Sequence, residues 1–124
     1  MSPNDPETGP FRGKRGWTEV NEENYRAEVI DSKKPVLVEF WGPKCKDCME
    51  MAPAIQKLSE KFVEKIKFCH FRCPSRYAVL ELGIRNLPTF YFYENGKLTK
   101  SLSKEDAKPE KARAILKALV GSHP

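Results

Sequence analysis

The stretch Val36-Leu37-Val38-Glu39-Phe40-Trp41 is the tightest constraint in the chain. A nearly continuous apolar run has no polar side to turn towards water. It suits a central strand covered on both faces by helices, as in a layered α/β fold. Asp31-Ser32-Lys33-Lys34-Pro35 breaks the chain just before it, and a helical pattern begins just after it, near Cys45. Met51, Ile55, Leu58 and Phe62 keep a spacing of three or four and predict a helix to about Phe62, kinked at Pro53.

The neighbouring segments fill in such a fold. Trp17–Val20 predicts a short edge strand. Asn21, with Asn24 three residues on, caps a helix that turns Tyr25, Val29 and Ile30 inward. Lys65–Phe71 predicts a strand, and Pro74 with Tyr77–Leu82 a short helix closed by Gly83. Thr89–Tyr93 and Lys97–Ser101 flank Asn95-Gly96, a strong hairpin signal. Pro109 opens a last helix to Gly121, with Ala112, Ile115, Leu116 and Leu119 inward. The order β-α-β-α-β-α-β-β-α predicts an α/β fold with a mixed four- to five-stranded sheet between two layers of helices.

At 124 residues, with 40% apolar content, the chain makes one domain. Residues 1–16, rich in Pro, Gly and charge, are expected to be a flexible arm, 17–121 the domain and 122–124 a tail. No apolar run approaches the ~20 residues of a membrane span. The start of the chain has neither a basic nor an apolar stretch, so no secretory leader is expected. Twenty-two Lys and Arg against 17 Asp and Glu give +5, spread along the sequence without the aromatic interleaving of a nucleic-acid binder. Neither nucleic acid nor membrane is expected as a partner, and a reducing, cytoplasmic setting is.

In that setting four cysteines call for redox or metal chemistry rather than structural disulfides. Cys45-Lys46-Asp47-Cys48 falls where the central strand passes into a helix. Residues three apart share a helical face, so the two sulfurs can meet at the first turn. The helix end supplies unpaired N–H groups and positive dipole, which stabilise a thiolate. Lys44 and Lys46 act in the same direction and Asp47 against it. Cys45 is thus the expected nucleophile and Cys48, deeper, the resolving thiol. The spacing Cys45-x2-Cys48-x20-Cys69-x3-Cys73 also fits a four-cysteine zinc site. The placement of Cys69 in an apolar strand argues against it, and no metal or cofactor is expected.

Lys34–Trp41, the Cys45–Cys48 pair, Pro53, Leu82-Gly-Ile-Arg-Asn-Leu-Pro-Thr89 and Glu94-Asn-Gly-Lys97 together resemble the thioredoxin family across about residues 17–121. The resemblance implies a thioredoxin fold and a disulfide reductase acting on disulfide-containing protein clients, recycled by an external thiol reductase, as a monomer. It implies that Pro88 is a cis-proline facing the cysteines and that Leu87 offers its backbone to a bound client strand. It makes Glu39 the buried acid, usually aspartate in the family, that takes the proton of Cys48. It sets Trp41 beneath the site.

The chain departs from the family where clients would bind. Lys44 stands in place of a tryptophan, Lys46-Asp47 in place of Gly-Pro, and Asn86 in place of a glycine. Ser103-Lys104 occupies the place of a Val-Gly pair. Charges at an interface centre narrow the choice of partners, so a more selective client range is expected, or a binding module with little turnover. Cys73, at the carboxyl end of a strand on the site's edge, is a candidate auxiliary thiol, and Cys69 a small core residue. His70 is expected to be structural or solvent-facing, and His123 to lie in the tail.

Overall fold

The computed structural model describes residues 17–73 and 82–121. The expected arm, the body of the short helix after Pro74, and the tail with His123 lie outside them. Five strands, β1 (Trp17–Val20), β2 (Val36–Trp41), β3 (Lys67–Arg72), β4 (Thr89–Glu94) and β5 (Lys97–Leu102), form one sheet in the order β1-β3-β2-β4-β5. β1, β3 and β2 run parallel, while β4 and β5 are antiparallel. The mixed sheet and its helices have the predicted architecture, with β2 at the centre and every residue of it buried.

Alternation along β2 assigns its side chains to two cores. Leu37 packs with Phe68, Phe90 and Phe92 beneath the helices α1 (Lys46–Phe62) and α2 (Pro109–Gly121), which contribute Met51, Ile55 and Leu116. Val36, Val38 and Phe40 face the other way, onto Tyr25, Val29, Phe71 and Ile84. The Tyr25 and Tyr93 hydroxyls hydrogen-bond at 2.8 Å within that second core. Glu39 and Trp41 therefore share the α1 side with Leu37.

Local differences from the sequence reading have identifiable causes. The Asn21 cap forms reciprocally: Asn21 Oδ1 accepts from the Asn24 N–H at 3.0 Å, and Asn24 Oδ1 accepts from the Asn21 N–H at 2.7 Å. The cap leads only into a short π-helical stretch, Arg26–Ile30, because Asp31 N–H returns five residues to the Arg26 carbonyl. β3 begins at Lys67 rather than Lys65, since the Lys65 and Ile66 N–H groups both close α1 by donating to the Phe62 carbonyl. α1 runs on through Pro53, which lies on its exposed face. In α2 the buried stripe is Ala112, Leu116 and Val120, with Ile115 and Leu119 only half-buried. A 3₁₀ turn, Lys104–Ala107, precedes α2 in a stretch without a helical pattern in the sequence.

The hairpin forms as predicted. Asn95 and Gly96 both have positive φ, +53° and +77°, as a tight turn matched to strand twist requires. A side chain at Gly96 would also stand 2.8 Å from the Ile30 carbonyl. Among the described residues no helix is long and apolar enough to cross a membrane.

Candidate active site

β2 ends at Trp41, and the turn Gly42-Pro43-Lys44 carries the chain to α1, closed by a 3.1 Å bond from the Cys45 N–H to the Gly42 carbonyl. Cys45 is the helix N-cap. Its sulfur accepts a hydrogen bond from the Cys48 N–H at 3.1 Å, so a thiol group does what Ser or Asp usually does there. Cys45 and Cys48 are joined as a disulfide, their Cα atoms 5.3 Å apart. Cys45 is half-buried and Cys48 fully buried. One sulfur thus meets solvent at the positive end of a helix while the other waits underneath.

The charged residues around this pair are placed unequally. Lys44 and Lys46 are exposed. Asp47, in the first turn, approaches the Lys108 ammonium at 3.8 Å. Lys108 immediately precedes α2, and no local pattern links it to Asp47, so sequence reasoning missed it. The pair draws an acid between the two cysteines towards a cation, which moderates its opposition to a thiolate.

The Leu87–Pro88 peptide bond is cis. Pro88 is buried and Leu87 half-buried. Leu87 lies against the turn before Cys45, where a Cβ on Gly42 would come within 2.9 Å of Leu87 Cδ1. Glycine at 42 lets the proline loop and the cysteine turn close on one another. The fold so brings Leu87 and Pro88 to the same end of the sheet as Cys45.

On the α1 side of the sheet, Glu39 is fully buried and neither carboxylate oxygen has a hydrogen-bond partner among the described residues. Burial alone pushes its carboxyl well above the ordinary range. Trp41 Nε1 is likewise buried, with no hydrogen-bond partner among the described residues. His70 is the register partner of Glu39 across β2 and β3. It is not solvent-facing but buried, with ring centroids 6.0 Å from Trp17 and 6.5 Å from Trp41. Its pKa falls to about 4, chiefly through burial. Its place between Cys69 and Phe71 in a strand reading KFCHFR is the signal that would have found it.

Cys73 does stand at the site's edge, its N–H donating to the Trp41 carbonyl at 2.8 Å. Its sulfur is nonetheless a core atom in this state: it is free, buried, and burial pushes the thiol up to about 12. Cys69 is also free and buried, its thiol raised to about 12, chiefly by burial. Both lie in the core opposite α1. The two cysteine pairs therefore occupy different sides of the sheet, and among the described residues no cluster of three or more His, Cys, Asp or Glu converges as a metal site would need.

An α/β domain with a vicinal dithiol capping a helix beside a cis-proline defines a class, the redox-type folds built on a Cys-x-x-Cys turn. A model of the thioredoxin family matches residues 16–118, and the chain belongs to that family. It is 39% identical to thioredoxin M5, chloroplastic, of Oryza sativa subsp. japonica over 84 residues, which are 67% of this chain and 49% of that protein. It is 32% identical to thioredoxin C-2 of Corynebacterium nephridii over 80 residues, 64% of this chain and 74% of the other. The structure of thioredoxin F from spinach chloroplast superposes with a TM-score of 0.67 at 29% identity, covering 85% of this chain and 88% of that one. The chain spans about half the length of the chloroplast relatives it matches.

Proposed function

We propose that this protein is a thiol–disulfide oxidoreductase acting on disulfide-containing protein clients. The Cys45 thiolate attacks one sulfur of a client disulfide; that bond breaks, a Cys45–client disulfide forms, and the leaving sulfur takes a proton. Cys48 then gives up its proton and attacks Cys45. The pair closes, the second client sulfur leaves as a thiolate, and the client carries away the two electrons. An external dithiol reductant reopens the pair. In this reading the protein works as a monomer in a reducing, cytoplasmic compartment.

One observation carries the proposal: the partly exposed sulfur of Cys45 is hydrogen-bonded by the Cys48 N–H at the start of α1. Charge assistance from that N–H and the helix end favours the anion. Glu39, raised by burial and lying on the α1 side, is the group that exchanges a proton with Cys48. Leu87 and Pro88 receive the client's extended backbone beside Cys45. Lys44, Lys46 and Asp47 shape the client face, while Trp41, expected there from the sequence, is buried and acts only as packing beneath it. With charge where related proteins have apolar groups, clients are fewer and electrostatically chosen.

The test is reduction of insulin by the protein with a dithiol reductant, monitored by turbidity. Wild type accelerates it and Cys45→Ser does not. Equal rates for the two would contradict the proposal and leave a binding module.

A further inference from the structure

Two positive pairs that are far apart in the sequence face one another across the surface. Lys57 and Lys61 stand one turn apart on α1, and Arg113 and Lys117 one turn apart on α2. Together they line a groove of about 480 Å³ whose apolar floor includes Leu58 and Phe62. All four cations are exposed, and none enters an ion pair with a described residue. Lys61 lies 5.5 Å over the Phe62 ring. Glu60, the nearby acid on α1, is engaged by Gln56 at 3.2 Å. No carboxylate is among the groove's described lining residues. Leu58 is ten residues beyond Cys48, or roughly 15 Å along the helix, so the groove is separate from the dithiol.

We propose that this groove docks an amphipathic acidic helix of a partner protein, its apolar face on Leu58 and Phe62 and its flanking carboxylates on the two cation pairs. The distribution of charge selects the occupant. A fatty acid has one anionic head and would use cations at one end, whereas here they line both banks. A volume of 480 Å³ accepts a few apolar side chains but not a whole chain segment. The partner's backbone then stays outside, as when a helix lays one face into a groove. Cations one turn apart match carboxylates at the same spacing on such a helix.

The probe is a fluorescein-labelled 15-residue peptide with Leu along one helical face and Glu on both flanks. It is titrated by anisotropy against the oxidised full chain, so that failure of the redox reading leaves this measurement unaffected. Saturable binding is expected, weakened at least tenfold by Lys57→Glu with Lys117→Glu, by Ser for Leu in the peptide, and by 0.5 M salt. The Lys-for-Glu peptide should not bind. The proposal is overturned by absence of saturable binding, by equal binding of the Ser peptide, or by an unchanged double variant. It is also overturned if phosphatidylserine-containing vesicles capture the protein through these cations while the peptide does not, which would make the site a membrane contact.

Discussion

Glu39 carries a carboxyl group into a place where neither oxygen finds a partner among the described residues and burial favours the protonated form. The folded state then holds its proton more tightly than the unfolded chain does. Stability from this group is complete below the unfolded value of about 4.3 and falls as pH rises above it. His70 has the opposite sign: its pKa is depressed to about 4, so its contribution is complete above about 6.5 and is lost as pH falls towards 4. In the oxidised protein, Glu39→Gln should therefore gain melting temperature relative to wild type as pH rises above about 4.3, with the His70 contribution common to both proteins. Parallel curves would show that residue 39 does not carry a buried titration. If Glu39 also takes the Cys48 proton, the same variant should slow release of the mixed disulfide on the order of 10²-fold without slowing its formation. Lys104 is a second local oddity, a lysine at φ +52°. Lys104→Gly should stabilise by about 0.5–1 kcal/mol in denaturant titration, since a left-handed lysine costs roughly 1–2 kcal/mol and glycine's extra chain entropy returns part of that.

The hairpin of β4 and β5 shows how a turn can fix more than its own strands. Gly96 needs its positive φ, and it also leaves room for the Ile30 carbonyl from the π-helical stretch. Gly96→Ala should cost about 1–3 kcal/mol by chemical denaturation, whereas Asn95→Gly, relieving only φ, should be close to neutral. Such features were legible in advance because their causes are local: Asn-Gly sets a turn, six apolar-rich residues in a row set a central strand, and a helix register sets Cys45 beside Cys48. What escaped reading depends on elements meeting. The Asp47–Lys108 approach is decided by how α2 is laid beside the start of α1, whereas the π-helical stretch turns on a single backbone bond reaching back five residues that no side-chain pattern announces. His70 reads as an ordinary strand residue until β3 pairs with β2 and sets it beside Glu39.

At the scale of the whole molecule, three tasks are separated by position. The sheet and its two cores hold the frame, the β2–α1 turn with the cis-proline loop holds the chemistry, and the groove between α1 and α2 gathers cations that look dispersed in the sequence. The altered surface around the cysteines predicts selectivity that can be exchanged for breadth. Replacing Lys44 by Trp and Lys46-Asp47 by Gly-Pro should widen the set of disulfide proteins reduced, measured as rates on a panel of unrelated clients. A uniform rate change across that panel would mean these residues tune reactivity rather than choice. The redox account depends on Cys45 being held as an anion at the helix start. The direct measurement is the rate of iodoacetamide alkylation of the reduced protein against pH, with Cys45→Ser as reference. The account predicts a Cys45 midpoint at least one unit below the ~8.5 of free cysteine; a midpoint at or above that value would contradict it.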